Sequence, residues 1–263
     1  MLIHVIADFG YMDLAFAEVT QRMKALIPGA MVHCTTVPPF ATLAAGFCAA
    51  QLALNEGPSD MAVFINVAPR KDDTAARSDN AGEALVLARL KNGRTVVGVN
   101  AGHSLSFLAS EAESLTRLQV PNAGTQFRSR DIYPGALARV LEGDHTVFGE
   151  SLSPAEIAPV PTSSMAYVDG FGNIKLTLTE EFRLPAGEML EVTIGGVTLP
   201  ARVGTAAFGV SQGELTLTVG SSGWSGTRYR ELFLRGGSAW ERFGRPAPEQ
   251  PVVIRQLADE AVR

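Results

Sequence analysis

The spacing of apolar residues changes at a proline-rich stretch, residues 151–161, and this change constrains the fold more than any other feature. Before it, apolar runs such as residues 2–7 alternate with segments of helical spacing such as residues 14–26. A continuous apolar run is typical of a buried parallel strand. After it, only short strands separated by turns are indicated. We therefore predict an α/β N-terminal domain with a mainly parallel sheet (1–152), a linker (153–164) and a smaller all-β barrel or sandwich domain (165–263).

The same spacing gives the expected elements. Turn residues such as Asn92-Gly93 mark a hairpin, and Pro28-Gly29 stops the first helix. The expected N-terminal strands are 2–7, 31–35, 61–67, 85–90 and 95–99, the helices are 14–26, 43–54 and 132–142, and the C-terminal strands are 165–168, 174–178, 191–194, 198–203, 214–219 and 230–234.

Charge, histidine spacing and cysteine usage argue against several classes of function. A net charge of -5 without a Lys/Arg stripe argues against a nucleic-acid groove. The 4 histidines lack metal-ligand spacing, so no metal site is expected. Cys34 and Cys48 occupy apolar stretches and are expected to be free thiols in a reducing compartment. No apolar run is long enough to cross a membrane and no leader pattern opens the chain, so we expect a cytoplasmic protein.

Two segments place an acidic residue beside glycine at the end of an expected strand. In the segment Asp169-Gly170-Phe171-Gly172-Asn173, a carboxylate and a carboxamide lie four positions apart around an aromatic ring. A carboxylate can hold a cationic amine, and an amide can hydrogen-bond to the edge of a heteroaromatic ring. The alternative is a strand–turn–strand with a polar tip. The second segment is Asp8-Phe9-Gly10, which follows the first expected strand.

These segments resemble one family, the S-adenosylmethionine hydroxide adenosyltransferases and their halogenase relatives. Asp8-Phe9-Gly10 is similar to its N-terminal Asp-Phe/Leu-Gly, and Asp169 to Asn173 is similar to its Asp-x-Phe-Gly-Asn. Residues 127–132 (FRSRDI), Thr227-Arg228 and residues 234–239 (LRGGSA) look like further family segments, in family order. The resemblance implies S-adenosylmethionine as substrate, no separate cofactor, and a homotrimer with ligand sites at subunit interfaces.

The resemblance implies roles for residues of the N-terminal domain. Asp8 clamps the two ribose hydroxyls, since a carboxylate accepts hydrogen bonds from both. Alternatively Asp8 caps the helix after Gly10, a role for which Asp13 is the other candidate. Phe40 packs on the sugar, with core packing as its alternative.

The resemblance also implies roles in the C-terminal domain. Asp169 binds the α-ammonium of the methionine part, and Asn173 binds an adenine edge. Thr227 and Arg228 bind the carboxylate, the arginine by its planar fork, with a solvated position on the strand as the alternative for Arg228. Gly237 offers backbone groups to adenine, and Phe171 packs nearby.

The nucleophile region departs from the family pattern. Hydroxide-using members carry an Asp-Pro after the third strand, then an arginine, and a histidine before the Arg-Asp of the later segment. Here Ala68 stands at the aspartate and Arg128 at the histidine, while Arg77 or Arg70 stands for the arginine. Alanine cannot orient water, and arginine stays charged and cannot act as a general base. His103, in a loop, is an alternative base or a polar surface residue.

A halide ion is a second possible nucleophile. It is suggested by Ser129, which stands where the fluoride-using member carries a serine, and by Phe127, which would line the same pocket. The loop opposite, residues 70–74, is charged and does not suit a dry halide pocket. We expect substitution at C5′ of S-adenosylmethionine with release of methionine, hydroxide giving adenosine, and Arg77, Arg128 and Ser129 as the catalytic candidates. The alternatives are a halide or another anion as nucleophile, and a non-catalytic protein that binds S-adenosylmethionine or adenosine.

Overall fold

The computed structural model of the protein divides into two compact units, Met1–Val160 and Pro161–Arg263. It describes residues 1–69, 75, 82–122, 125–205 and 209–257. In the first unit the strands are β1 (Leu2–Ala7), β2 (Met31–Thr36), β3 (Met61–Asn66), β4 (Leu85–Leu90), β5 (Thr95–Val99), β6 (Ala112–Leu118) and β7 (Phe148–Ser151), and the helices are α1 (Leu14–Leu26), α2 (Thr42–Leu54), α3 (Arg128–Asp131) and α4 (Tyr133–Leu141).

The sheet of the first unit is mixed. Its strand order is β2-β1-β3-β5-β4-β6-β7. β1 pairs in parallel with β2 and β3, and β3 with β5, whereas β4, β6 and β7 are joined by antiparallel pairings. The predicted hairpin of β4 and β5 is confirmed, whereas the prediction of a mainly parallel sheet is wrong for β6 and β7, which extend the antiparallel side of the sheet. The α/β character and the predicted helices and strands of this unit are confirmed, each bound lying within one residue.

Apolar packing holds this unit together on the side of α1 and α4. Val19 and Met23 of α1 meet Leu137 of α4 and the buried side chains of β1, β3, β4 and β5 in one cluster. α2 packs on β1 and β3 and is apolar on nearly every side. A Cβ at Gly46 would lie 2.5 Å from the backbone oxygen of His103, so only glycine allows this close approach.

The second unit is built from strands. They are β8 (Met165–Val168), β9 (Ile174–Thr179), β10 (Met189–Ile194), β11 (Val197–Val203), β12 (Leu215–Trp224), β13 (Thr227–Leu234) and β14 (Val252–Gln256), and one short helix, α5 (Ala239–Arg242), lies between β13 and β14 in the chain. The order is β14-β10-β11-β12-β13-β9-β8, antiparallel except for β11 with β12.

The two edges of this second sheet approach one another. Ser164, just before β8, forms an isolated bridge with Pro251, just before β14. The Met165 N–H donates to the Gln250 oxygen at 2.9 Å, and the Val252 N–H donates to the Ser163 oxygen at 3.1 Å. The sheet encloses a core that includes Leu176, Leu217 and Leu232.

The residues that the structure describes contain neither a membrane-spanning helix nor a cluster of metal ligands. None of their helices is long and apolar enough to cross a membrane. None of their His, Cys, Asp and Glu side chains forms a group of three or more that could hold a metal ion. Both cysteines are free, and burial raises the pKa of the Cys48 thiol to about 12, which keeps it protonated.

Candidate functional site

Asp8 lies where β1 ends, beside the end of the parallel strand β3. Ala7 is paired with Asn66 in the register of these strands, and Asp8 follows directly. One carboxylate oxygen, Oδ2, accepts a hydrogen bond from the Phe40 N–H at 2.9 Å, which ties the loop after β1 to the loop after β2. No residue in the described part of the chain donates to Oδ1. Among the described residues, Asp8 therefore has one carboxylate oxygen without a partner at the carboxyl edge of the sheet.

Asp13, and not Asp8, caps the first helix. Its Oδ1 accepts from the Ala15 N–H at 2.8 Å, and its own backbone is extended, as expected of an N-cap residue. The capping alternative for Asp8 is thereby ruled out. Within the part of the chain that the structure describes, the carboxylate of Asp8 accepts a hydrogen bond only from the Phe40 backbone.

Phe40 is exposed next to this carboxylate. Its side chain is 58% exposed, so the core-packing alternative is wrong. Its φ of 62° lies in the left-handed region, which costs a non-glycine residue roughly 1–3 kcal/mol. On the neighbouring loop, Tyr11 and Met12 are also exposed. The loops around the Asp8 carboxylate therefore carry exposed apolar side chains.

Ser129 and Phe127 lie in the same region as Asp8. The Ser129 hydroxyl donates to Oδ1 of Asn66 at 3.0 Å, and Asn66 is only 7% exposed. The ring of Phe127 packs edge-on against Phe9, with centroids 5.8 Å apart, and Phe9 follows Asp8 in the chain. Asn66 is a functional candidate that sequence reasoning missed. Its signal is that it is the one polar side chain in the apolar strand β3.

The short helix α3 fixes the position of Ser129. Arg130 of this helix pairs with Glu18 of α1 at 2.9 Å and with Asp131 at 2.6 Å. The hydrogen bond from Arg130 lowers the pKa of Asp131 to about 2, so the pair stays charged at neutral pH. This link anchors α3 to α1 and holds Ser129 against Asn66.

Ala68 and Arg128, which the resemblance sets at the water-activating positions, make packing contacts in this structure. Ala68 is partly buried against the core cluster that contains Phe64. The Arg128 guanidinium lies over the Tyr133 ring at 5.2 Å, and its Nη2 donates to the Pro121 oxygen at 3.2 Å. Burial raises the pKa of Tyr133 and outweighs the opposing effect of Arg128. Arg77, Arg70 and residues 71–74 lie outside the described residues.

His103, the alternative base, is engaged in its own turn. Its N–H donates to the Thr42 hydroxyl at 3.0 Å, and its Nδ1 lies 3.3 Å from the Ser106 hydroxyl. None of its hydrogen bonds to described residues involves Asp8, Asn66 or Ser129.

In the second unit, both oxygens of Asp169 are occupied by the turn that it begins. Oδ1 accepts from the N–H groups of Phe171 and Asn173, each at 3.0 Å. Oδ2 accepts from the Asn173 side-chain amide at 2.9 Å and lies 3.3 Å from Nζ of Lys175. Burial raises the pKa of Asp169, but the hydrogen bonds from Asn173 and the charge of Lys175 outweigh it, so the pKa lies below its ordinary value.

Lys175 joins Asp169 to a second carboxylate. Lys175 on β9 is paired with Glu231 on β13 in the strand register, and its Nζ donates to Glu231 Oε2. Lys175 is only 7% exposed. A Cβ at Gly220 would lie 2.8 Å from Glu231 Oε2, so the glycine makes room for this carboxylate. Neither Lys175 nor Glu231 was identified from the sequence, because their pairing depends on the register of β9 and β13.

Arg228 directs its fork at the protein's own backbone. Nε and Nη2 both donate to the Gly220 oxygen, at 3.0 and 2.6 Å, and the Arg228 N–H donates to Glu180 at 3.1 Å. Thr227, its neighbour, is paired with Trp224 across β12 and β13. The Nε/Nη2 edge of the guanidinium is thus occupied by a carbonyl oxygen.

The remaining predicted residues surround the Asp169 turn. Gly172 has a φ of 81°, and its oxygen accepts from the Trp240 N–H at 2.9 Å, which holds α5 against the turn. Gly237 directly precedes the cap of α5, and its N–H donates to the Leu234 oxygen. Phe171 is 83% exposed at the tip. Oδ1 of Asn173 is buried and has no hydrogen-bond partner among the described residues.

Comparisons with known proteins find a similar fold in solved structures. No protein-family model matches the chain, and no curated protein matches it. The chain is similar to the crystal structure of an uncharacterized conserved protein from Thermotoga maritima, with a TM-score of 0.74 and 20% identity over 97% of this chain and 100% of that one. It is also similar to a conserved hypothetical protein from Thermus thermophilus, with a TM-score of 0.66 and 23% identity over 96% and 99%. These likenesses show a shared fold across both units.

Proposed function

We propose that the protein binds the adenosyl group of S-adenosylmethionine and transfers it to a nucleophile by substitution at C5′, releasing methionine. The observation that carries the proposal is the open oxygen of Asp8 at the carboxyl edge of β1 and β3. In α/β sheets, ligands bind outside the carboxyl ends of the strands. A vicinal diol supplies two O–H donors to a carboxylate, and exposed Phe40 offers an apolar surface for the sugar.

The chemistry is a displacement at carbon. The lone pair of the nucleophile forms a bond to C5′ while the electrons of the C5′–S bond return to sulfur. Methionine then leaves as a neutral thioether, and hydroxide as nucleophile gives adenosine. Ser129 and Asn66 form the polar pair next to the apolar Phe127, and they are the groups that would orient the nucleophile.

A halide or another anion is the alternative nucleophile. The hydrogen of the Ser129 hydroxyl is donated to Asn66 Oδ1, so the amide Nδ2 of Asn66 is the donor that this pair can offer an anion. Adding chloride, bromide or fluoride to the reaction and searching for a 5′-halogenated adenosine separates this alternative from hydrolysis.

A second candidate function is binding without catalysis. Ala68 packs against the core and Arg128 lies on Tyr133, so neither supplies a base for water. Loss of a positioned general base typically costs about 10²–10⁴ in rate. A single-turnover mixture with enzyme in excess distinguishes the two functions, because adenosyl transfer releases one methionine per bound ligand and a sensor releases none.

Calorimetric titration with adenosine tests the binding step. Asp8→Asn keeps the shape of the side chain but removes its charge, and we expect its affinity to fall at least tenfold. Asp13→Asn is the matched control, since it lies on the same loop and asparagine remains a good helix cap. Unchanged affinity in Asp8→Asn, or an equal loss in both variants, would overturn the ribose role of Asp8.

The resemblance also leads us to propose a homotrimer with ligand sites at subunit interfaces, in a cytoplasmic protein. Sedimentation equilibrium of the purified chain tests the assembly. A mass of three chains supports the proposal, and a monomer at micromolar concentration would contradict it.

A further inference from the structure

The backbone of His103 is held closely against the start of α2. Its N–H donates to the Thr42 hydroxyl at 3.0 Å, and its oxygen accepts from the Ser106 N–H at 3.2 Å. A Cβ at Gly46 would lie 2.5 Å from that oxygen, and a Cβ at Gly102 would lie 2.5 Å from the Thr42 hydroxyl oxygen. Glycine at both positions allows this close approach. The imidazole of His103 is therefore carried at a fixed place beside the helix.

The contacts of the imidazole decide which of its two nitrogens carries the proton. Nδ1 of His103 lies 3.3 Å from Ser106 Oγ. The single hydrogen of that hydroxyl is donated to the Ala158 oxygen at 2.5 Å, so Ser106 Oγ is left to accept from Nδ1. In the neutral ring, Nδ1 is then the N–H and Nε2 carries the lone pair. Nε2 has no hydrogen-bond partner among the described residues, so a basic nitrogen remains available.

His103 and Asp8 lie at the same edge of the first sheet. β1, β3 and β5 are neighbours and run in parallel, so the loop after β1 and the loop after β5 leave the sheet at its carboxyl edge. One short segment contacts both residues. The Phe40 N–H donates to Asp8 Oδ2 at 2.9 Å, and the Thr42 hydroxyl accepts from the His103 N–H at 3.0 Å. Because Phe40 and Thr42 are two residues apart, their backbones are separated by at most about 7 Å.

We propose that His103 is the general base that activates water for attack at C5′, and that Ser106 is the positioning residue that keeps Nε2 available. The water oxygen forms a bond to C5′ while the electrons of the C5′–S bond return to sulfur, and methionine leaves. The proton of the water passes to Nε2 and from there to solvent. The groups that His103 bonds to are all uncharged, so the ring can take up a proton and release it again.

This inference rests on the proposed function and names water as its nucleophile. A halide ion has no proton to lose, so attack by a halide needs no base. The role of His103 therefore separates hydrolysis from the halide alternative.

Single-turnover release of methionine by the full chain, measured across pH, tests the base. We expect His103→Gln to lower the rate about 10²–10⁴-fold and to keep its affinity for adenosine. The wild-type rate should rise with pH as histidine loses its proton, and His103→Gln should lack this rise. His145→Gln is the matched control, since His145 is exposed. Release that His103→Gln retains in full would overturn the inference and leave the proposed function in place. No release by the wild type would overturn the proposed transfer and this inference with it.

Nitrogen-15 NMR of the imidazole rings tests the positioning role without reference to activity. The chain has 4 histidines, so one His→Gln variant for each assigns the signals. We expect the neutral His103 ring of the wild type to carry its proton on Nδ1. Ser106→Ala should lose this preference and part of the rate, and Ser106→Thr, which keeps the hydroxyl, should retain both. A proton on Nε2 in the wild type, or a full rate in Ser106→Ala, would overturn the inference.

Discussion

Asp8 and Asp169 occupy similar sequence contexts but differ in what surrounds their carboxylates. Each lies close to glycine and phenylalanine at the end of a strand. One carboxylate oxygen of Asp8 accepts a hydrogen bond from the Phe40 N–H, and the other has no partner among the described residues. The two oxygens of Asp169 together have four partners, which fill their lone-pair positions. The first arrangement leaves a carboxylate able to accept a ligand, and the second uses the carboxylate to build a turn. A sequence motif therefore locates an acidic residue but does not show whether its carboxylate oxygens are already hydrogen-bonded within the fold.

The largest expected effect comes from removing the cation between Asp169 and Glu231. Lys175→Met leaves two carboxylates together in a largely buried place, and breaking a buried pair in this way costs about 3–5 kcal/mol of unfolding free energy. Urea denaturation at pH 7 measures the loss. Arg245→Met is the control, because its pair with Glu241 is exposed and such pairs contribute about 0–1 kcal/mol. Similar small losses in both variants would show that the pairing of Lys175 with the two carboxylates is not structural.

The two aspartates should differ in their contribution to stability. Asp169→Ala removes the acceptor of several hydrogen bonds and leaves Lys175 poorly paired, and we expect a loss of roughly 2–3 kcal/mol. Asp8→Ala removes one hydrogen bond at a half-exposed position, and we expect about 1 kcal/mol or less. Denaturant titration of both variants makes the comparison. Equal losses would remove the distinction between an open and an occupied carboxylate.

The turn of Asp169 should also depend on the glycine at position 172. Its φ is 81°, and a Cβ there would lie 2.0 Å from the Ser238 hydroxyl oxygen. We expect Gly172→Ala to cost about 2 kcal/mol through strain and displacement of Ser238. Gly170→Ala is the matched control two positions away, where a Cβ would meet nothing within 4 Å. Thermal unfolding that ranks the two variants in the opposite order would contradict the described turn.

The smallest expected effect is a pH dependence in the acid range. The pKa of Asp169 is lowered in the folded protein, so the carboxylate contributes stability above its unfolded value of about 3.9 and loses it as pH falls through the folded value. The stability difference between the wild type and Asp169→Asn should therefore shrink below about pH 4. Urea titrations across the acid range up to neutral pH measure it. A difference that grows toward low pH would mean that the pKa is raised.

The α/β half was largely accessible from the sequence because its strands and helices are long and apolar. β1 is a continuous apolar run, and α1 has clear helical spacing with a cap at Asp13. The antiparallel strands beyond the β4–β5 hairpin could not be predicted, since β6 reads AESLTRL and mixes charged with apolar residues. Sequence patterns record burial, and this strand is only partly buried.

Only the local parts of the candidate site could be predicted from the sequence. The position of Asp8 after β1 follows from the apolar run, and the Asp169 turn follows from its glycines. The partners of both carboxylates depend on distant segments, such as Phe40 for Asp8 and Lys175 with Glu231 for Asp169. Glu231 meets Lys175 through the register of β9 with β13, which no local pattern specifies. Whether the oxygens of a carboxylate already have hydrogen-bond partners is thus decided by the tertiary structure.

Carbon-13 NMR of the protein labelled at its aspartate carboxyl carbons tests the central claim most directly. Asp8→Asn and Asp169→Asn assign the two signals by their disappearance. We expect adenosine to shift the Asp8 carboxyl signal more than the Asp169 signal. An Asp8 signal unmoved at saturating adenosine, or an equal shift of the two signals, would contradict the account.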